Sequence, residues 1–212
     1  MPYLVPAWDA LAATQTALIV AVPAAEAIVG KHRDRLDVAA SWGVPAHVTV
    51  LYPFIEPARA EDPVVVAAIG AAVGTVGAFS CSFRRTAWFD DDVLWLDPDP
   101  AQPFRDLTAA VWRAFPGHPP YGGAHDTVVP HLTVGERGLG GRAALVQAER
   151  ELGTGLPVRT YVDRVLLIAG AQAPCPGGCC TNLRWRKTPE EDASSDPTVG
   201  PSGGTGPLIP IS

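Results

Sequence analysis

Two tetrapeptides, His47-Val48-Thr49-Val50 and His131-Leu132-Thr133-Val134, share the pattern His-apolar-Thr-Val and sit one in each half of a 212-residue chain. Each closely follows a proline, Pro45 or Pro130. Along a strand, residues i and i+2 project to one face and the residue between them to the other. A strand at each motif therefore offers an imidazole and a hydroxyl side by side. It sends Val48 and Val50, or Leu132 and Val134, to the opposite face as core residues. Two His-x-Thr tripeptides arising by accident in a chain with so few histidines have a chance of about 4%, before the matching flanks are counted. The chain must accommodate two half-buried strands, far apart in sequence, with the same chemistry on one face.

The remaining periodicity shows what surrounds those strands. Residues 16–22 read as a buried strand ended by Pro23, and 24–40 as a helix broken by Gly43 and Pro45. Residues 46–54 carry the first motif as a strand. Asp62-Pro63 has the form of a helix start, with Val65, Ile69, Ala72 and Val76 falling on one face. Phe79, Cys81 and Phe83 alternate with Ser80, Ser82 and Arg84. Asp90-Asp91-Asp92 turns that strand back into 93–96 as a hairpin. A helix is expected over 102–115, a Pro/Gly loop over 116–123, the second motif strand over 128–135 and a helix over 141–152. A strand over 161–169 is expected to pair with 182–187. Helices and strands mixed without strict βαβ alternation, with a hairpin among them, predict an α+β fold with antiparallel sheets. Gly138-Leu139-Gly140-Gly141 precedes a helix but has neither the Rossmann nor the P-loop spacing.

Composition divides the chain at residue 187. Beyond it lie Pro, Gly, Ser, Thr and acids, which cannot bury enough apolar surface to offset the entropy of ordering. Residues 1–187 are expected to form one domain and 188–212 a disordered tail. All 16 Lys and Arg precede residue 188, whereas four of the 22 acids follow it, so the domain carries a net charge of about −2 rather than −6. Nothing there resembles the basic run that grips duplex DNA. The N-terminal residues lack the basic start of a secretory signal, and no apolar stretch is long enough to span a bilayer. A cytoplasmic protein without a membrane partner is the expectation. Cys175, Cys179 and Cys180 cluster in a Pro/Gly loop with a spacing that matches no common zinc pattern, so they read as ordinary thiols; a Cys-based metal or redox centre is the competing reading.

The motif pair suggests a chemistry. Placed face to face, two imidazoles and two hydroxyls make a phosphate site. The hydroxyls donate to non-bridging oxygens, a neutral histidine takes a proton from the attacking group, and a protonated one supplies a proton to the leaving oxygen. Histidine suits both roles because its ordinary pKa is about 6.5. No metal or other cofactor is called for. His47 and His131 are the expected catalytic residues. Among the others, His32 lies on a charged helix, and His118 and His125 lie in loops.

The two motifs resemble those of the two-histidine (2H) phosphoesterase superfamily, which includes the 2′-5′ RNA ligase-like proteins. The order of elements up to residue 187 and the Tyr121-Gly122-Gly123 loop ahead of Pro130-His131 add to the likeness. The resemblance implies a bilobal fold of pseudo-two-fold symmetry, antiparallel sheets with helices on their outer faces, and one motif per lobe in a central cleft. It implies opening of a 2′,3′-cyclic phosphodiester on a nucleotide or short RNA end, with His47 and His131 as acid–base pair and Thr49 and Thr133 as phosphate binders. Basic residues assist in some relatives; Arg84 and Arg137 are the candidates here, although both residues are often plain surface arginines. Tyr52 and Phe54 are candidates for stacking on a base or for packing. A 2′-5′ RNA ligase and a non-catalytic nucleotide or RNA-end binding module are the alternatives. A monomer is expected.

Overall fold

The computed structural model describes residues 13–124 and 127–170, with the backbone of Leu183 and Arg184. His125, the three clustered cysteines and the expected tail lie outside the described residues. Cys81 is buried, and burial pushes its thiol up to about 11, as for an inert core cysteine.

The strands are β1 (Gln15–Ala21), β2 (His47–Leu51), β3 (Phe79–Phe89), β4 (Val93–Asp99), β5 (Leu132–Glu136), β6 (Val158–Val162), β7 (Leu166–Gly170) and β8 (Leu183–Arg184). The helices are α1 (Pro23–Leu36), α2 (Val38–Ser41), α3 (Pro63–Val73), α4 (Gln102–Ala114) and α5 (Arg137–Leu152). The strands form a single antiparallel sheet in the order β6-β3-β4-β5-β2-β1-β7-β8. The fold is α+β, as expected, but its two halves share one sheet. They meet at β2 and β5, the two motif strands, through the pair Val48 and Leu132.

That seam is narrow, and the helices reinforce it by crossing it. The chain passes from β1 to β2 through α1, yet α1 packs against β5 and α5 of the other half. Likewise α4 joins β4 to β5 but packs against β2 and α3. The Thr108 hydroxyl of α4 donates to the Val50 carbonyl of β2 at 2.8 Å. Val48, Leu132 and Val134 are fully buried beneath this layer, each side chain contributing about 1.5–3 kcal/mol of burial. The same packing leaves the other face of β2 and β5 without a helix layer over the motifs.

Local chemistry explains most boundaries. Asp62 caps α3 by accepting from Val64 N–H at 2.9 Å, with Pro63 in the first turn. The helix expected over 24–40 stops at Leu36, because Asp37 leaves helical geometry and its side chain caps α2. The strand expected over 161–169 is two strands. Val158–Val162 alternates and pairs with β3 at one edge of the sheet, whereas Leu166–Gly170 is buried almost throughout and pairs with β1 in the other half. Asp163-Arg164 carries the crossing. Leu183–Arg184 pairs with β7, as the sequence suggested for that segment. His32, expected on a charged face, is buried between α1 and α5 with neither ring nitrogen hydrogen-bonded. Among the described residues no helix is long and apolar enough to cross a membrane.

Candidate active site

The antiparallel pairing of Val48 with Leu132 fixes the neighbours of both residues. Continuing that register places His47 across from Thr133 and Thr49 across from His131. With Val48 and Leu132 directed into the core, all four motif side chains lie on the opposite face, the histidines on one diagonal and the threonines on the other.

The two imidazoles are tethered alike. His47 Nδ1 lies 2.8 Å from the Pro45 carbonyl and His131 Nδ1 lies 2.7 Å from the Val129 carbonyl, two residues back in both cases. A carbonyl only accepts, so Nδ1 carries the hydrogen. The neutral ring then keeps its lone pair on Nε2, and the protonated ring presents an N–H there. Both rings are ready for proton transfer at the same atom.

Their surroundings differ. Burial lowers the pKa of His47 and the bond to Pro45 raises it; the Arg33 guanidinium and His131 lower it and Asp37 raises it. Arg33 and Asp37 are themselves buried and paired, Nε to Oδ2 at 2.8 Å. Arg33 also donates to the Val44 carbonyl at 3.1 Å, and the Glu26 carboxylate accepts from Ala46 N–H. This network fixes the chain leading into His47. Burial also lowers the pKa of His131, against the bond to Val129, with no charged neighbour among the described residues contributing. Phe89 and Trp95 surround that ring instead, at centroid distances of 4.9 and 5.9 Å, and stack on each other at 4.8 Å.

A cleft of about 390 Å³ opens beside His47 and Thr49. Ala17, Ile19, Trp42, Val44 and Ile168 make its apolar walls, and Tyr52 and Glu136 reach it as well. The Tyr52 hydroxyl donates to Gln15, and the Tyr52 carbonyl accepts from Tyr121 N–H at 2.6 Å, which ties the Tyr121-Gly122-Gly123 turn to this end of the cleft. The other residues expected near the site lie elsewhere. Arg84 faces Asp99 at 3.5 Å and Arg137 faces Asp92 at 3.3 Å, both exposed and neither lining the cleft. Phe54 is a core residue against Phe115. Among the described residues no three His, Cys, Asp or Glu side chains gather as metal ligands would.

Sequence reasoning missed Arg33, Asp37, Phe89, Trp95 and Glu136. Strict alternation from Thr133 would point Gly135 at the cleft and Glu136 at the core. A bulge reverses this: Trp95 pairs with Thr133, but Leu94 pairs with Gly135 and Val93 with Glu136. Gly135 faces the helices, where a Cβ would lie 2.6 Å from the Leu36 Cβ and 2.9 Å from a Leu145 methyl. Only glycine fits there, and Glu136 turns outward to the cleft.

Residues 19–173 match the family profile of the 2′-5′ RNA ligase superfamily. The chain belongs to that superfamily, a group of two-histidine phosphoesterases and RNA ligases, in agreement with the resemblance drawn from its motifs. No curated protein matches it. Solved structures similar to it include E. coli LigT in apo form, with a TM-score of 0.49 at 14% identity, covering 82% of this chain and 96% of that one. E. coli LigT complexed with 3′-AMP gives 0.47 at 15% identity, with the same coverage. A crystal structure of a phosphoesterase gives 0.46 at 17% identity, covering 81% of this chain and 97% of that one.

Proposed function

We propose that this protein opens a 2′,3′-cyclic phosphodiester on a nucleotide or short RNA end by acid–base catalysis between His47 and His131. The observation that carries the reading is the matched Nδ1 tether of two histidines set diagonally among two threonines. One neutral ring accepts a proton from water at Nε2 as the water oxygen bonds to phosphorus. The other, protonated, gives its Nε2 proton to the ribose oxygen as the P–O bond breaks. Thr49 and Thr133 donate hydrogen bonds to the non-bridging oxygens. A monoanionic diester and water become a phosphomonoester, and the two rings end with their protonation states exchanged. The protein acts as a monomer, with no cofactor in the scheme.

Substrate size follows from charge. Arg84, Arg85 and Arg137 face Asp99, Asp97 and Asp92 respectively, so they are partly neutralised as contacts for an extended phosphate backbone. A small nucleotide or a short end suits such a surface better than structured RNA. The test is a panel of 2′,3′-cyclic nucleotides, short RNAs with cyclic ends and 2′-5′-linked dinucleotides, read by product mass and regiochemistry. Turnover of the cyclic nucleotides is expected. Joining of RNA ends without hydrolysis would assign the chain to ligation, and binding without turnover would leave a recognition module.

A further inference from the structure

A second group in the cleft has no role in the scheme above. The Glu136 side chain is half-buried on the cleft wall, and no described residue hydrogen-bonds to it or forms an ion pair with it. Burial, with Asp37 nearby, raises its pKa, as expected for a carboxylate that has lost water without gaining a partner. No Lys or Arg lines this cleft among the described residues. The cleft that Glu136 shares with His47 and Thr49 has Ile19, Trp42 and Val44, with Val38 and Ala39 of α2, among its apolar walls. Glu136 follows Thr133 by three residues on β5, up to about 10 Å along the strand, on the scale of the distance from a ribose phosphate to the far edge of its base. The cleft volume of about 390 Å³ lies within the usual range for a small-molecule site.

We infer that this cleft holds the nucleobase of the substrate and that Glu136 reads an exocyclic amine on it, favouring cytosine and adenine over uracil and hypoxanthine. The inference rests on the proposed phosphodiesterase reading and specifies its substrate. A flat uncharged ring suits the apolar walls, and an amine gives the unpartnered carboxylate a donor. A carbonyl at the same position of the base would place acceptor against acceptor in a partly dehydrated wall, which is costly.

The experiment compares isosteric pairs in the full-length protein: cytidine against uridine, and adenosine against inosine, as 2′,3′-cyclic monophosphates. The wild type should prefer the amine-bearing member of each pair in kcat/KM by at least about tenfold. In Glu136→Gln the amide can present either its oxygen or its nitrogen, so both ratios should fall to about one as the uridine and inosine substrates improve. Its melting temperature should match or exceed that of the wild type. Equal turnover of both members by the wild type, or an unchanged preference in Glu136→Gln, overturns the inference. Calorimetric binding of cytidine and uridine 3′-monophosphates is run alongside. If no cyclic nucleotide is opened, the phosphodiesterase reading fails, and the binding data decide the base inference separately. A tenfold preference for the cytidine compound that disappears in Glu136→Gln upholds it; equal affinities refute it.

Discussion

The half of the site around His47 and the half around His131 share a backbone design and differ in what supports it. Both rings are held at Nδ1 by the carbonyl two residues back, and both motif strands send their apolar residues beneath the same seam. Around His47 the support is electrostatic: a buried Arg33–Asp37 pair whose guanidinium also holds the carbonyl of Val44, a residue of the cleft wall. Around His131 it is aromatic, from Phe89 and Trp95. Duplicated geometry thus carries unequal chemistry. Two like histidines take the roles of acid and base when their environments differ, and the charges at Arg33 and Asp37 are one such difference.

The largest test treats the two halves as equals. His47→Ala and His131→Ala should each lower kcat by about 10²–10⁴-fold on a cyclic nucleotide. The double variant should lose far less than the product of the two, since the groups act as a unit. Near-normal rates in both single variants would end the two-histidine mechanism. A second test separates the halves. Asp37→Asn removes the 2.8 Å partner of the buried Arg33, leaving only the Glu26 carboxylate at 3.6 Å, and should cost about 3 kcal/mol in denaturant unfolding. Among the described residues no ion pair supports His131, so no matching charge removal is offered on that side. An unchanged unfolding midpoint would show that the pair supports nothing.

The motifs made this much of the site legible. Alternation alone places His47 with Thr49 and His131 with Thr133, and the register of Val48 with Leu132 brings the four together. Several features required long-range information. The bulge that exchanges Gly135 and Glu136 depends on pairing with β4, which no local pattern encodes. Arg33 and Asp37 look like ordinary solvent-facing charges, yet both are buried and Arg33 donates to the Val44 carbonyl, a contact no local pattern encodes. The single strand expected over 161–169 is instead two segments, one at the β6 edge of the sheet and the other between β1 and β8 in the opposite half. The fold class was legible because hairpin and helix signals are local. The single shared sheet was not, because strand partners are chosen by packing.

A smaller effect is expected at the threonines. Thr49→Ala or Thr133→Ala removes one hydrogen bond to a charged oxygen, worth about 1.5–3 kcal/mol, and no proton transfer. Each should lower kcat/KM by about 10–100-fold, less than either histidine change at its full effect. A loss at Thr49 equal to that at His47 would give the hydroxyl a larger role than binding.

The smallest effect assigns the roles. Burial lowers the pKa of both rings, so the bell-shaped profile of kcat/KM, which reports the free enzyme, should centre below about 6.5. A bound phosphodiester anion favours both protonated rings, so the profile of kcat should lie at higher pH. Asp37 raises the pKa of His47 and makes no contribution at His131. Asp37→Asn, measured well below its melting temperature, should therefore move one limb of the kcat/KM profile toward lower pH, by less than about one unit, and leave the other in place. When the base has the lower pKa of the two, the acidic limb belongs to the group that must be unprotonated and the alkaline limb to the group that must be protonated. Movement of the acidic limb at an unchanged maximum makes His47 the base and His131 the acid, and movement of the alkaline limb at an unchanged maximum reverses them; a maximum that changes with the limb gives the opposite assignment. If both limbs move equally, or neither does, the charge difference between the two halves does not set their roles.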